Sequence, residues 1–551
     1  MMMDWLHSVV LLLVLLAVSG LPQEGTYEGI QDGTQGPLVK KQELKANRDN
    51  LKVSESSLQP QQIHISLGDS SRDMTVMWAT EGYDSSVVEY HTGDRTQLQR
   101  AEGQTMKLDD TNDAGLKHLH HVTLRNLGPK TKYFYQVRGQ SDDTLSESYS
   151  FTVPPVHDGN THMFMVYGDL GTQTNNIQFL LQEALNEKYE AIFHIGDIAY
   201  NLSSKNGEIG DKFLRQIEKV SARIPYMTVP GDHETDHNYV HYRHRFSMPN
   251  LPWPMPSNKL WYSIDVGPIH FIMYSTEVFF YDDENTEAML NWLKEDLDKA
   301  NSERSARPWI IAMGHKPMYC SVDDINADCS RSNPVVRREL EDLFYAEGVD
   351  LIISAHQHLY QRTWPVYKKR ATQNNYRHPS APVHLIIGTL GLHYMVDKAN
   401  NEGGQWLAFS MDEPGRESFG RLKVYNATHL SWEVRECLNN RVIDTMWINQ
   451  PYHRPFTQPR VFFPNPLGEM GQEWMDDQTE SYGLESFLGL RGKHYGDDYQ
   501  TKLTVLFCVF IICLLGLIAR KKVLSFVRII CLRKEPCNKI KAGLSPGGAN
   551  V

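Results

Sequence analysis

Five short motifs in the middle of this chain combine glycine or alanine with carboxylate, phenol and imidazole side chains. Each motif follows a short apolar run, and the carboxyl ends of strands are where an α/β sheet presents its active site. A single Gly-Asp or His after a strand is ordinarily a turn or a structural residue, but five such strand ends in one region indicate a shared site. The motifs are Gly168-Asp169-Leu170-Gly171, Gly196-Asp197-Ile198-Ala199-Tyr200, Gly231-Asp232-His233-Glu234, Gly314-His315-Lys316-Pro317 and Ser354-Ala355-His356-Gln357-His358.

Oxygen and nitrogen ligands without cysteine suit iron, manganese or zinc. Two ions need one group that bridges them, and Asp197 can do so with its two carboxylate oxygens. Tyr200 is the most informative residue, because a free phenol has a pKa near ~10 and binds readily as phenolate only to a strongly acidic ion such as Fe(III). The alternative for Tyr200 is an aromatic ring packed beside the site. The predicted metal ligands are Asp169, Asp197, Tyr200, Asp232, His315, His356 and His358.

The motifs lie in a region, Thr161 to about Val434, where short apolar runs alternate with helical stretches. This alternation predicts an α/β layered fold. The predicted strands are His162–Tyr167, Ala191–Ile195, Pro225–Val229, His270–Tyr274, Trp309–Met313, Leu351–Ser354 and His384–Ile387, and the predicted helices are Gln178–Lys188, Thr286–Ala300 and Asn333–Ala346. We therefore place a catalytic domain at 161–379, a strand-rich closing segment at 380–445 and a polar, Pro-containing stalk at 446–500.

The region before the catalytic domain has a different pattern. Residues 59–155 alternate apolar and polar side chains between turn signals, which predicts an all-β sandwich. The stretch Leu124–Val137 also looks like a fibronectin-type corner, in which a Tyr follows a Pro-containing turn. Residues 21–58 are polar and aperiodic, and we predict a linker there.

Both ends of the chain carry patterns typical of membrane targeting. Residues 1–20 have a short apolar stretch that ends in small residues, as a cleaved signal peptide does; an N-terminal anchor is the alternative. Residues 503–519 are uncharged and apolar, and Arg520 follows directly. Positive charge after the span places the tail 520–551 in the cytosol. The pattern predicts a single-pass type I membrane protein of the secretory pathway with a lumenal or extracellular catalytic domain; a buried C-terminal core helix is the alternative.

Export would allow a disulfide and N-linked glycosylation. Cys320 and Cys329 could close a short disulfide loop in an oxidising compartment, which leaves Cys437 over. Asn201 and Asn426 begin glycosylation sequons. The formal net charge of the whole chain is -12, and no long basic run precedes the C-terminal tail, which argues against nucleic acid as a partner.

The ordered motifs resemble those of the purple acid phosphatases, part of the larger metallophosphoesterase group, and most closely the animal members of the long form. The family's order is D-x-G, G-D-x-x-Y, G-N-H-E/D, V-x-x-H and G-H-x-H, and the resemblance covers roughly Gln59 to Val434. It implies an α/β metallophosphoesterase β-sandwich flanked by helices, preceded by a fibronectin III-like domain. It also implies an acid phosphatase that hydrolyses phosphate monoesters with a dinuclear Fe(III)–M(II) centre and metal-bound hydroxide.

The resemblance assigns roles to individual residues. It implies that Asp169, Asp197, Tyr200 and His358 hold Fe(III). It implies that Asp197, Asp232, His315 and His356 hold divalent Fe, Zn or Mn. His233 would contact the phosphate and protonate the leaving alkoxide as the catalytic acid, and Glu234 would orient its neighbours. The substrate would be a phosphate monoester, and a homodimer is left open.

The sequence departs from the family pattern at four places. Asp232 replaces the family's Asn, which should tighten the divalent metal and weaken the attraction for a phosphate dianion. Ala312 replaces the leading Val of the fourth motif, and Ala355 replaces a Gly. The adjacent His pair of the plant enzymes has no counterpart in residues 318–330.

Two other functions remain open at this point. The first is a dimetal phosphodiesterase or nucleotidase of the same fold, against which Tyr200 counts because those enzymes generally have no phenolate ligand. The second is a membrane-tethered binding protein with a degenerate site, which Asp232 and the predicted anchor would support.

Overall fold

The computed structural model describes residues 59–456 with gaps at 83–84, 109–117, 139–144, 156–160, 175–176, 282, 323–328, 330–333, 391–403, 412 and 414–415. The predicted signal peptide (1–20), linker (21–58), transmembrane helix (503–519) and cytosolic tail (520–551) lie outside the described residues, as does most of the predicted stalk. Across the described ranges, no helix combines the length and the apolar character that crossing a membrane requires.

The N-terminal domain consists of two antiparallel sheets of four strands each. β1, β2, β6 and β5 form one sheet in this order, and β4, β3, β7 and β8 form the other. The alternating pattern predicted this sandwich, although β2 is buried along its whole length because Trp253 of the catalytic domain covers Met77 on its outer face. The strands are β1 Gln61–Leu67, β2 Met74–Thr80, β3 Val87–His91, β4 Gln99–Glu102, β5 Gln104–Lys107, β6 His118–Leu124, β7 Lys132–Val137 and β8 Tyr149–Thr152.

The catalytic domain is built on a six-stranded and a seven-stranded sheet. The six-stranded sheet has the order β11-β10-β9-β21-β22-β23, and the seven-stranded sheet has the order β12-β13-β14-β15-β19-β16-β20. A two-stranded sheet, β17-β18, lies apart from both. The strands are β9 His162–Tyr167, β10 Ala191–Ile195, β11 Tyr226–Val229, β12 Tyr262–Val266, β13 Ile269–Met273, β14 Trp309–Met313, β15 Leu351–Ser354, β16 Tyr360–Thr363, β17 Val366–Tyr367, β18 Arg370–Ala371, β19 Val383–Ile387, β20 Leu407–Met411, β21 Ser418–Val424, β22 His429–Glu436 and β23 Val442–Asn449.

Six α-helices lie among the described residues of this domain. The three predicted helices are present, and three more were not predicted from the sequence. The helices are α1 Ile177–Asn186, α2 Glu208–Ser221, α3 Asp236–Arg245, α4 Val278–Tyr281, α5 Asp283–Ser302 and α6 Val335–Ala346.

The core between the two sheets of the catalytic domain is aromatic. The ring of Phe271 on β13 lies 4.9 Å from that of Phe164 on β9 and 4.7 Å from that of Phe193 on β10, measured between centroids. These strands are buried on both faces, which explains why they read as continuous apolar runs rather than as alternating ones. The packing holds the two sheets together directly behind the ends of the strands that carry the motifs.

Candidate metal centre

Both sheets deliver ligands to one place. On the six-stranded sheet, β9, β10 and β11 are parallel neighbours, and one predicted aspartate follows each of them. On the seven-stranded sheet, β14 and β15 are parallel neighbours, and the predicted histidines follow them. Because the carboxyl ends of parallel strands meet at one edge, loops far apart in sequence converge there.

The first group of ligands has four members that each offer an atom within 4.8 Å of the others: Asp197, Asp232, His315 and His356. Oδ1 of Asp232 lies 3.2 Å from Nε2 of His315 and 3.1 Å from Nδ1 of His356. Oδ1 of Asp197 lies 3.3 Å from Nε2 of His315. These four residues can surround one cation.

The second group lies around the phenol. The hydroxyl of Tyr200 is 2.8 Å from Nε2 of His358, and that nitrogen is 3.6 Å from Oδ1 of Asp169. Burial, followed by the charges of Asp169 and Asp197, raises the pKa of Tyr200 far above its ordinary value. The hydroxyl therefore keeps its proton unless a strongly acidic cation replaces it.

The orientation of these side chains fits metal ions. Oδ1 of Asp169 and Oδ1 of Asp232 are buried and face imidazole nitrogens, at 3.6 Å from Asp169 and at 3.1 and 3.2 Å from Asp232. A buried carboxylate oxygen is costly unless a positive group pairs with it. His315 donates from Nδ1 to the carbonyl of Ile195 at 2.8 Å, which turns the lone pair of Nε2 toward the aspartates. A second hydrogen bond of this kind orients a metal-binding imidazole in many proteins. Cations between these atoms would satisfy all of them.

Charge in the cluster is balanced by protons when no cation is bound. Burial alone would lower the pKa of His315, but the carboxylate of Asp197 and hydrogen bonds with both aspartates raise it well above its ordinary value. Burial would raise the pKa of Asp232, but hydrogen bonds from His315 and His356 and the charge of Lys316 hold it well below its usual range. A metal ion would replace the His315 proton, because ligands must be deprotonated to bind.

The backbone at the site is strained in a way that a ligand-binding role explains. Four predicted ligands hold a left-handed conformation, with φ of 61° at Asp169, 51° at Asp197, 52° at Tyr200 and 67° at His356. Such a conformation costs a non-glycine residue roughly 1–2 kcal/mol and is common where function fixes geometry. This strain was not predicted from the sequence.

Two glycines allow the ligand loops to approach each other. Gly196 has φ of 73°, and a Cβ there would lie 2.4 Å from Nδ1 of His315. A Cβ at Gly231 would lie 2.3 Å from Oδ1 of Asp197. Any larger residue would push the aspartates away from the histidines.

Glu234 orients the loops, as the sequence analysis expected. Its carboxylate accepts hydrogen bonds from the backbone N–H groups of Asp197 at 2.8 Å, Ile198 at 3.0 Å and Gly231 at 2.9 Å. Glu234 is 3% exposed and faces the backbone, so it holds two ligand loops together without pointing at the ligand atoms.

His233 lies at the open side of the centre. Its side chain is 40% exposed, whereas that of Asp197 is 4% exposed, and its Nε2 lies 3.9 Å from Oδ2 of that aspartate. Its Nδ1 contacts Oδ1 of Asn201 at 2.6 Å. The imidazole of His233 is therefore accessible from solvent beside the buried Asp197.

Two charged residues of the site were missed by the sequence analysis. Lys316, 4% exposed, places its Nζ 3.4 Å from Oδ1 of Asp232. Glu277 is fully buried, and burial raises its pKa to about 7, although the charge of Lys316 opposes the shift. Lys316 directly follows His315 in its motif, which was a signal, whereas Glu277 stands outside the five motifs.

The described cysteines follow the prediction. Cys320 and Cys329 form a disulfide, which confirms the predicted pair. Cys437 is a free, buried thiol. The predicted sequon residue Asn426 is exposed, and its Oδ1 accepts a hydrogen bond from Oγ1 of Thr428 at 3.0 Å.

Family descriptions match three consecutive parts of the chain. Residues 60–153 match the purple acid phosphatase N-terminal domain, residues 162–360 the calcineurin-like phosphoesterases, and residues 381–445 the iron/zinc purple acid phosphatase-like protein C.

Curated relatives extend over most of the chain. Acid phosphatase type 7 of Homo sapiens is 37% identical over 413 residues, covering 72% of this chain and 92% of that protein. Acid phosphatase type 7 of Danio rerio is 38% identical and covers 72% of this chain and 93% of that protein. Purple acid phosphatase 22 of Arabidopsis thaliana is 29% identical, with coverage of 72% and 86%.

The fold has a solved counterpart. A purple acid phosphatase from yellow lupin (Lupinus luteus) seeds superposes with a TM-score of 0.62 at 22% sequence identity, covering 72% of this chain and 75% of that one. At this identity the likeness shows the shared fold.

Proposed function

Because the chain belongs to the purple acid phosphatase family and is an acid phosphatase with a dimetal site, we propose which of its residues act in the hydrolysis of phosphate esters, and how. The observation that carries the proposal is the convergence of the four atoms of Asp197, Asp232, His315 and His356 beside the Tyr200–His358 contact. The substrate class is phosphate monoesters.

The two groups of ligands differ in chemistry, and so should their metals. Tyr200, with Asp169 and His358, would hold Fe(III), because only a strongly acidic ion competes with the phenol proton. Asp232, with His315 and His356, would hold a divalent ion, Fe, Zn or Mn, which such mixed ligands suit. Asp197 lies in the first group and would serve both ions as their bridge. When bound, the ions supply Lewis acidity and lower the pKa of a coordinated water.

His233 is the residue of this chain that handles the leaving-group proton. Its Nε2 lies 3.9 Å from Oδ2 of Asp197, the proposed bridge, and its side chain is 40% exposed, so that a phosphate ester can approach it from solvent. A proton held on Nε2 can pass to the departing alkoxide, so that a neutral alcohol leaves. Lys316, buried beside Asp232, adds positive charge near the incoming phosphate.

The alternatives have less support. A phosphodiesterase or nucleotidase of this fold would leave the Tyr200–His358 contact without a purpose. A degenerate binding protein would not be expected to keep four ligand atoms within 4.8 Å. Asp232 points its Oδ1 at both histidines, so the replacement of the family's Asn keeps a ligand oxygen in place.

Phosphate release by the purified chain tests the proposed activity. We expect hydrolysis of p-nitrophenyl phosphate at acidic pH, at a rate well above that on bis(p-nitrophenyl) phosphate. Asp197→Ala should abolish it, because the bridge is lost. A faster rate on the diester, or equal rates for Asp197→Ala and the parent chain, would reject the assignment.

We also propose a location for the enzyme. The apolar segments at 1–20 and 503–519 and the basic tail support a type I membrane protein with its catalytic domain in the lumen or outside the cell. The disulfide between Cys320 and Cys329 is consistent with an oxidising compartment. Glycosylation at the exposed Asn426 would follow from export. Protease protection of the catalytic domain in sealed microsomes tests the orientation; cleavage without detergent would reject it.

A further inference from the structure

The side chain of Asn201 makes a short contact with His233 that neither the motifs nor the family roles account for. Oδ1 of Asn201 lies 2.6 Å from Nδ1 of His233. An amide oxygen can only accept a hydrogen bond, so Nδ1 of the imidazole must be the donor. The contact therefore fixes which nitrogen of the ring faces Asn201.

The remaining ring nitrogen points at the metal centre. With Nδ1 held by Asn201, Nε2 of His233 faces Oδ2 of Asp197 at 3.9 Å. The ring of Tyr200 limits rotation from another side, because it meets the imidazole edge-on at a centroid distance of 4.8 Å. The His233 side chain is 40% exposed, so the loss of the amide would allow the ring to turn toward solvent.

The backbone brings Asn201 to this position. Tyr200 and Asn201 have φ of 52° and 73°, a left-handed pair directly after the second motif. Asn and Gly adopt this conformation more readily than other residues. The turn that aims the Tyr200 hydroxyl at His358 thus also aims the next side chain at His233.

We propose that Asn201 is a positioning residue that orients His233 for proton transfer to the leaving group. We also propose that Asn201 carries no sugar, although it begins a sequon. The proposal rests on the proposed function, because it gives His233 a task in ester hydrolysis. The two sequons differ in the partner of the hydroxyl two residues after each Asn. Thr428 bonds to the amide of Asn426 at 3.0 Å, whereas the Ser203 hydroxyl turns away to Oδ2 of Asp236 at 2.7 Å.

The test compares three variants of the full-length enzyme on two substrates. Asn201→Gly removes the amide and keeps the left-handed backbone. Asn201→Asp keeps an acceptor oxygen in the same place. Ser203→Ala destroys the sequon and leaves Asn201 intact. The substrates are p-nitrophenyl phosphate, whose leaving group departs without a proton, and glycerol 2-phosphate, whose alkoxide needs one.

We expect Asn201→Gly to lower kcat on glycerol 2-phosphate by roughly 10- to 100-fold with little change in KM, and to lower it far less on p-nitrophenyl phosphate. Asn201→Asp should recover most of the loss, and Ser203→Ala should resemble the parent chain. Equal losses on both substrates, or an unchanged Asn201→Gly, would overturn the proposal. A loss in Ser203→Ala as large as in Asn201→Gly would overturn it too, because the sugar and not the amide would then matter. An inactive parent chain would instead reject the phosphatase function, and the inference with it.

Discussion

Nζ of Lys316 lies 3.4 Å from Oδ1 of Asp232, and the lysine is buried. Asp232 stands where the family has Asn, so this chain has one more negative charge at the divalent site than the family pattern. The lysine offsets that charge from within the same motif that supplies His315. The carboxylate that replaces the family's amide at position 232 therefore forms an ion pair with Lys316.

The first prediction concerns this pair. Asp232→Asn should lower KM for p-nitrophenyl phosphate by about fivefold, because the phosphate dianion then meets less negative charge, an effect of roughly 1 kcal/mol. Lys316→Met has a similar volume and should raise KM for the opposite reason. The double variant restores the parent's charge and should have a KM near that of the parent. Steady-state kinetics of the four proteins measures this, and an unchanged KM in Asp232→Asn would reject the charge argument.

A second prediction follows from the phenol of Tyr200. If its phenolate binds Fe(III), the iron-loaded enzyme should be violet, because charge passes from phenolate to metal on absorption of visible light. Tyr200→Phe should lose this colour and keep the fold, since its ring can still meet His233 edge-on. Visible absorption and circular dichroism of both proteins measure the two effects. A colour that survives in Tyr200→Phe would show that another ligand is responsible.

A third prediction concerns stability at high pH. His270 lies between Asp265 at 2.7 Å and Asp296 at 2.9 Å, and so ties the β12–β13 hairpin to α5. Burial would lower its pKa, but the hydrogen bonds that His270 donates to both carboxylates, together with their charges, raise it to about 9.

Because the folded protein holds this proton more tightly than the unfolded chain, the stabilisation is complete below the ordinary histidine pKa. It is lost as pH rises through about 9. The free energy of unfolding should fall by up to roughly 3 kcal/mol across that window. Urea unfolding of the parent chain and of His270→Gln between neutral and alkaline pH tests this; equal slopes for the two proteins would contradict it.

A fourth prediction concerns the disulfide. Cys320 and Cys329 join in a cluster with Val322, Leu359 and Ile386, not far along the chain from His315. Opening a loop this short should reduce the free energy of unfolding by about 2–3 kcal/mol. A thermal melt of the Cys320→Ser/Cys329→Ser double variant should show a lower Tm than the parent chain. Cys437→Ser is the matched control, because the free thiol closes no loop, and an equal fall in Tm there would count against the disulfide as the cause.

The sequence predicted the ligand-bearing strands well. β9, β10, β14 and β15 have the predicted bounds, because buried parallel strands form short apolar runs, and a glycine directly follows the first three of them. Helix α2 was missed although its apolar residues recur at helical spacing, at Phe213, Leu214, Ile217 and Val220. Helix α3 could not have been found in this way, because its sequence is almost entirely polar.

Side-chain partners within the site were harder to predict than its ligands. A metal ligand can be predicted from its residue type and its position after a strand, in most cases beside a glycine. The Asn201–His233 and Lys316–Asp232 contacts instead join different loops, and they depend on backbone angles that the sequence does not reveal. The left-handed conformation of Asp169, Asp197, Tyr200 and His356 is a further case, since the contacts that hold it come from loops far apart in the sequence.

The number of metal ions bound by each purified chain tests the central claim most directly. Elemental analysis of the full-length protein, expressed in an exporting host and freed of loosely bound metal, should find two ions per chain, one of them iron. The Asp197→Ala variant lacks the proposed bridging carboxylate and should retain fewer than two metal ions per chain. A parent chain that purifies with no tightly bound metal, and takes up none when iron and zinc are supplied, would contradict the account.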